Sequence, residues 1–262
     1  MLALIAGTGA LPGEIVARLT DKPLICSMSG FAPTSTETEL EFRLEQLGSF
    51  IAGLKSRGVS EICMAGAVGR PAIDPSAIDA ATLPLVPVIQ AALGAGDDGA
   101  LRAVIEIFER AGFSIRAAHE VAPDLLMELG VPTKVQPGEL DKADALRAVE
   151  VVAAMSAADV GQSCAVRSRQ AISVENAFGT DWMLSSLQNR PDGQGGLLFK
   201  APKPGQDRRA DLPTIGPATV EMAAKAGLSG IVLEANGVIV LSQDDVVATA
   251  DRLGLFIWLR PA

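Results

Sequence analysis

The chain has no tyrosine, two tryptophans and eight phenylalanines, so a core for 262 residues must be assembled from small aliphatic side chains. Without tyrosine there is no Tyr-x-x-x-Lys pair, which counts against a nicotinamide-dependent nucleotide-sugar enzyme. The single histidine, His119, cannot build a His-rich two-metal cage or a facial zinc triad. A Ser-His-Asp triad could draw on no other imidazole, and no G-x-S-x-G elbow is present. Three cysteines (Cys26, Cys63, Cys164) stand singly in apolar or strand-like surroundings. An odd, scattered set is neither a disulfide framework nor a zinc knuckle, and implies reduced cytosolic thiols. No apolar run reaches the roughly 18–20 residues needed to span a bilayer. The opening Met1–Gly7 stretch is too short and lacks the basic flank of a signal peptide. The formal charge of -9 argues against a nucleic-acid binder, which would carry a basic face with interleaved aromatics. The P-loop pattern G-x-x-x-x-G-K-[ST] is absent as well. Any phosphate site must therefore be a local cationic island in an acidic, cytoplasmic protein.

What is present is a 48% hydrophobic chain, long for one core, with two domains as the natural expectation. Leu2–Ala6 reads as a buried strand, followed by Gly7-Thr8-Gly9-Ala10-Leu11-Pro12-Gly13 and a helical pattern through Ile15, Val16 and Leu19. Amides at such a strand–turn–helix junction can meet phosphate or ribose. The full G-x-G-x-x-G spacing is missing, so a tight βα turn and a ligand-facing turn both fit. Pro23–Met28 and Ser60–Ala65 read as further strands, with a helix at Leu47–Arg57 between them. The loop Gly66-Ala67-Val68-Gly69-Arg70-Pro71 follows the second of these, at the strand end where open parallel sheets form their ligand crevice. Helices follow at Leu83–Leu93 and Ala100–Ala111, with Gly96-Asp97-Asp98 before the latter as N-cap or ligand. Phe113–Ala117 is the next strand, and His119 at its end reads as a hydrogen-bonded structural residue. This alternation predicts a Rossmann-like, doubly wound N-terminal domain over residues 1–131. Pro132–Gly138 reads as a linker, and residues 138–262 as a second α/β domain with a mixed sheet and the ligand cleft between the two domains. In that half Asp141–Ala157 is expected to be a helix with Leu146, Val149, Val152 and Ala153 inward. Ser163–Arg167 and Gln170–Glu175 form a hairpin, Trp182–Arg190 a helix capped by Asn176–Asp181, and Gly195–Phe199 a strand. A helix starting at Gly216–Thr219, strands at Gly230–Glu234 and Val238–Leu241, a helix at Asp244–Leu253 and a strand at Leu255–Leu259 complete it.

One stretch departs from the aliphatic background. Between Lys200 and Thr219 four cations (Lys200, Lys203, Arg208, Arg209) and two carboxylates (Asp207, Asp211) fall within a dozen residues, punctuated by Pro202, Pro204 and Pro213. Proline fixes φ and removes amide donors, so this is a stiff extended or turning segment. An arbitrary charged loop is most often only a solvated one. Held in fixed geometry, though, Lys offers a point charge, Arg a bidentate fork, and Asp a Mg²⁺ ligand or proton acceptor, a set suited to a phosphorylated ligand. With His, Cys and P-loop chemistry set aside, carboxylate-plus-Mg²⁺ chemistry remains. Asp211, Asp207, Asp181, Glu175, Asp97 and Asp98 are the loop carboxylates available to it.

The run Lys200-Ala-Pro-Lys203-Pro-x-Gln206-x-x-Arg209-x-Asp211-Leu-Pro-Thr214-Ile-Gly216-x-x-Thr219 resembles the signature of the LpxI-type UDP-2,3-diacylglucosamine pyrophosphatases. Supporting segments occur in order along the whole chain. These are Leu4-Ile-Ala-Gly7-x-Gly9-x-Leu11-Pro12, Ala65-Gly66-x-Val68-x-Arg70-Pro71, Gly96-Asp97-Asp98 and Ala118-His119-Glu120-Val121. Asp159-x-Gly161-Gln162, Glu175 with Gly179-Thr180-Asp181, and Leu253-Gly-Leu-Phe256 follow. Thr8, Ala67 and Gly69 depart from the pattern, which bears on fine substrate contacts. The resemblance implies a Mg²⁺-dependent hydrolase of lipid A synthesis, with Mn²⁺ as a substitute ion. Water would attack the α-phosphorus of UDP-2,3-diacylglucosamine, releasing UMP and 2,3-diacylglucosamine 1-phosphate. The family's required aspartate carries over onto Asp211, as metal ligand or as orienter of the water, with Arg209 and Lys203 as its cationic partners in catalysis. The candidate substrate-binding residues are Gly7, Thr8, Gly9, Leu11, Gly66, Val68, Arg70, Gly96, Asp97 and Asp98 in the first half. In the second half they are Gln162, Gly179, Thr180, Asp181, Lys200, Gln206 and Thr214. The amphiphilic substrate would bring the protein peripherally to the cytoplasmic face of the inner membrane, and base rates favour a homodimer. A non-catalytic nucleotide-lipid binding protein and an NAD-dependent nucleotide-sugar enzyme are the alternatives.

Overall fold

The computed structural model describes every residue except Arg70, Ala95, Gly96, Asp192, Ala210 and Asp211, and every side chain except theirs and those of Leu93, Asp97 and Asp98. The expectations placed on Arg70, Gly96 and Asp211, and on the side chains of Asp97 and Asp98, lie outside the described residues. The chain divides into two compact units. One holds Met1–Pro123 with the described part of Asp207–Asp211, and the other holds Asp124–Gln206 and Leu212–Ala262.

The first unit opens with β1 (Leu2–Ala6), α1 (Leu11–Arg18), β2 (Leu24–Met28), β3 (Leu40–Phe42), α2 (Leu47–Ser56) and β4 (Glu61–Ala65). It continues through α3 (Val86–Gly94), α4 (Asp97–Arg110), β5 (Ser114–Arg116) and α5 (Ala118–Val121). The five strands pair in the order β3-β2-β1-β4-β5, all parallel, as the Rossmann-like expectation requires. Central strands of such a sheet are covered on both faces, which explains the unbroken apolar run of β1. Leu47, Phe50 and Leu54, spaced i, i+3, i+7, are the buried stripe of α2. Phe50 stacks on Phe42 of β3 with ring centroids 4.0 Å apart. That contact anchors a strand that is not legible in the sequence, since three residues among Thr and Glu show no readable periodicity. His119, expected at a strand end, lies in the short helix α5.

The second unit contains α6 (Glu139–Ala157), β6 (Ser163–Arg167), β7 (Gln170–Val174), α7 (Gly179–Ser186) and β8 (Leu197–Lys200). Then come β9 (Thr214–Ile215), α8 (Pro217–Lys225), β10 (Gly230–Glu234), β11 (Ile239–Val240), α9 (Gln243–Leu253) and β12 (Phe256–Arg260). Its sheet is mixed, in the order β12-β10-β8-β6-β7: the first three strands are parallel, β6 runs antiparallel to them, and β7, antiparallel to β6, returns in their direction. β9 and β11 form a separate parallel pair. Residues 132–138 are tied into this unit, with Thr133 Oγ1 accepting from the Ile257 amide at 3.0 Å and the Lys134 amide donating to Asp251 at 2.8 Å.

The inward face of α6 differs from the expected one. Ala145, Ala148, Val152 and Met155 are buried with Asp144, whereas Leu146 is 62% exposed and Val149 and Ala153 are also exposed. Asp144 supplies the reason. Its carboxylate accepts the amides of Ser168 and Arg169 at 3.0 and 2.5 Å, closing a hairpin turn whose two residues both have positive φ. That anchor turns the alanine face toward β6 and β8, where small side chains permit close approach. Helix α7 begins at Gly179, earlier than expected, so Thr180 and Asp181 lie in its first turn. β8 extends through Lys200, which pairs with Ser163 and is therefore sheet and not loop.

All three cysteines are buried and free, and burial pushes their thiols up to about 12, well away from a reactive thiolate. Glu45, 4% exposed, accepts from Arg43 at 2.8 Å and from the Asp74 amide at 2.9 Å, and the Arg43 hydrogen bond leads in drawing its carboxyl down to about 2 from 4.5. A depressed folded-state value contributes stability above pH 4.5 that disappears as pH falls toward 2. Urea unfolding of wild type and Glu45→Gln should therefore differ most at neutral pH and converge across that window; a constant gap would contradict the assignment.

Candidate functional site

In the first unit the strand order reverses between β1 and β4, and the glycine turns leaving those strands interlock there. The Gly7 amide donates to Ala65 O at 2.8 Å, while Thr8 and Ala67 exchange amide–carbonyl bonds at 2.9 and 3.0 Å. Thr8 Oγ1 donates to Ala67 O at 3.1 Å. A Cβ on Gly7 would fall 2.5 Å from Ala67 O; one on Gly66, which has φ +90°, would fall 2.7 Å from Gly7 O. Both glycines are thus demanded by backbone-on-backbone contact at the crevice where open α/β sheets receive ligands. Thr8, Gly9 and Val68 are exposed around it, and Leu11 opens α1. Ser35, which carries no motif, holds this turn: its hydroxyl donates to Gly9 O at 2.9 Å and accepts the Gly13 amide at 3.1 Å.

Residues 207–209 of the charged stretch also belong to the first unit. Arg209 grips Asp207 through its backbone amide and Nε, each at 3.0 Å, and Nη2 at 2.7 Å, while Nη1 reaches Glu109 of α4 at 2.6 Å. The Arg209 hydrogen bonds hold the Asp207 carboxyl below its usual range, and the two carboxylates raise the guanidinium value. His119 Nδ1 is buried without a hydrogen-bond partner among the described residues, and burial, aided by the charge of Arg208, lowers the imidazole value.

In the second unit the C-terminal edge of β8 gathers a polar cluster. Because β6 runs antiparallel to β8, its first residue, Ser163, sits beside Lys200, and β7 returns to deliver Glu175 to the same edge. Lys200, only 6% exposed, donates from Nζ to Thr180 Oγ1 at 2.8 Å. Thr180 donates to Glu175 Oε1 at 3.1 Å, and Glu175 Oε2 accepts from Ser163 Oγ at 2.9 Å and the Gln162 amide at 3.0 Å. The side-chain oxygen of Gln162 is buried with no partner among the described residues. Gln162, Thr180 and Lys200 are therefore brought together, along with Ser163 and Glu175.

The remaining candidates are placed differently. Lys203 and Gln206 close a turn on each other, and Lys203 Nζ meets Asp159 at 2.5 Å. Thr214 lies in β9, its hydroxyl directed to Leu212 O at 3.2 Å. Gly179, at φ +82°, starts α7, and Asp181 is exposed in its first turn. Among the described residues no three His, Cys, Asp or Glu side chains gather as a metal cluster.

These features define an α/β protein of two units, one a doubly wound sheet with interlocked glycine turns where its strand order reverses and one with a buried cation at a strand edge. Residues 1–125 match the LpxI N-terminal domain and residues 128–258 the LpxI C-terminal domain. The chain is also 37% identical over 268 residues to the UDP-2,3-diacylglucosamine pyrophosphatase LpxI of Caulobacter vibrioides, an overlap of 98% of this chain and 96% of that protein. The chain belongs to the LpxI family, as its residues suggested.

Gly66→Ala should cost about 1–3 kcal/mol through strain at positive φ and the clash with Gly7 O. A thermal melt indistinguishable from wild type would show that the two turns do not interlock as described.

Proposed function

We propose that the protein hydrolyses the diphosphate of UDP-2,3-diacylglucosamine to UMP and 2,3-diacylglucosamine 1-phosphate. The carrying observation is the buried Lys200, fixed at the edge of β8 within a fully directed hydrogen-bond chain, in a protein similar over its length to a pyrophosphatase of that substrate. A desolvated, oriented ammonium is a strong partner for a diphosphate. The glycine turns at Gly7–Gly9 and Gly66 offer close backbone approach to the nucleotide, joined by Leu11, Val68, Arg70 and Gly96–Asp98. In the second unit the substrate-contact candidates are Gln162, Gly179–Asp181, Gln206 and Thr214.

In the reaction the oxygen of water bonds to the α-phosphorus as the bond from that phosphorus to the bridging oxygen breaks. The bridging oxygen leaves on the sugar phosphate, and the water proton is released. Asp211 orients the water or contributes the carboxylate for Mg²⁺, while Lys203 and Arg209 balance developing negative charge. Asp207 and Glu175 are already occupied by hydrogen bonds, so Asp211 is the carboxylate that would hold such an ion, and Mg²⁺ needs only one or two carboxylates beside phosphate oxygens and water. When bound, Mg²⁺ supplies charge neutralisation on the phosphoryl oxygens. Among the described residues no helix is long and apolar enough to cross a membrane, and we place the protein peripherally at the cytoplasmic face, where this amphiphile would reside.

Phosphorus NMR of turnover in ¹⁸O-water should put the label on UMP. Asp211→Ala should lower the rate on the order of 10²–10⁴-fold while the substrate still binds. Label on the sugar phosphate, or an Asp211→Ala variant near wild-type rate, would reject the mechanism, and binding without turnover at any divalent metal would reject the hydrolase.

A further inference from the structure

Glu175 counts among the loop carboxylates able to face a metal ion, but its surroundings give it other work. It is 8% exposed, and both its oxygens are engaged, by Ser163 and Gln162 on one side and Thr180 on the other. The backbone is packed down on it: a Cβ on Gly161 would lie 2.8 Å from the Glu175 carbonyl oxygen.

A hydroxyl has one proton. Thr180 commits it to Glu175, so toward Lys200 its oxygen can act only as an acceptor, which is what the 2.8 Å contact from Nζ requires. Every bond in the chain then has a single direction, from ammonium to hydroxyl to carboxylate, and each polarises the next. An amide at position 175 would undo this. It could donate to Thr180 Oγ1, freeing the hydroxyl proton to turn toward Nζ, where it meets another N–H.

We propose that Glu175 is a positioning residue which, through the Thr180 hydroxyl, orients the Lys200 ammonium as a donor to the diphosphate of the ligand. The inference rests on the diphosphate reading of the site and extends it to a residue that need not touch the ligand.

The test compares wild type, T180V, T180S, E175Q and K200M, with inorganic pyrophosphate and Mg²⁺ in titration calorimetry and the nucleotide-lipid in steady-state assays. T180V keeps the side-chain shape and loses only the hydroxyl; T180S keeps the hydroxyl. T180V and E175Q should weaken pyrophosphate binding and raise KM roughly 10- to 100-fold with kcat little changed, and T180S should stay close to wild type. In the K200M background the E175Q effect should vanish, which a purely structural role for Glu175 would not produce. Unchanged pyrophosphate binding in T180V, no rescue by T180S at unaltered thermal stability, or an E175Q effect that persists in K200M would each overturn the proposal. Should pyrophosphate binding fall in T180V and return in T180S while wild type leaves the nucleotide-lipid intact, the positioning role stands and the hydrolase reading fails.

Discussion

A lysine ammonium withdrawn from water at the end of a strand is tolerable only when its surroundings accept its protons and balance its charge. Lys200 sets that condition, and the topology of the second sheet meets it. The antiparallel hairpin brings both of its open ends to the same edge, so Ser163 and Glu175 arrive together beside the last residue of β8. Helix α7 then lays Thr180 between cation and carboxylate. A wholly parallel sheet would send the far ends of those strands elsewhere. The mixed sheet is in this sense the physical precondition of the polar cluster.

The first unit presents a different kind of surface, built from backbone and not from charge. Its two glycine turns approach so closely that neither tolerates a side chain, and Ser35 pins the start of α1 from outside. Cations nearby in sequence to the cluster are internally balanced: Arg209 divides its fork between Asp207 and Glu109, and Lys203 leans on Asp159. In a chain with formal charge -9, such pairing lets individual cations be held in place without creating a broad basic face.

Local pattern made much of this legible. β1 and β6 read correctly to the residue because continuous or alternating aliphatics bounded by glycine or polar turns leave little choice. Helix α2 followed from 3.6-residue periodicity, and the long charged motif indicated a phosphate ligand and a family. β3 was illegible, since its three residues gain their identity from pairing with β2 and from the Phe42–Phe50 stack. The face of α6 was misread because leucine and valine outweigh alanine in any hydrophobic count, while Asp144, bound to a turn distant in sequence, decides the rotation.

Sequence alone determined the two α/β halves, the placement of glycine turns after strands, the unpaired state of the scattered cysteines and the chemical character of the Lys–Arg–Asp stretch. These depend on contacts within a few residues of one another or on residue types that are simply missing. Only the tertiary structure decided that Lys200 ends a strand beside Ser163, that Thr180 stands between it and Glu175, and that Arg209 turns to Glu109. Apart from Thr180 and Glu175, which are 5 apart, those pairings join residues 20 to 100 positions apart, and strand register and helix rotation, which create them, are settled by packing and by the need to satisfy buried polar groups.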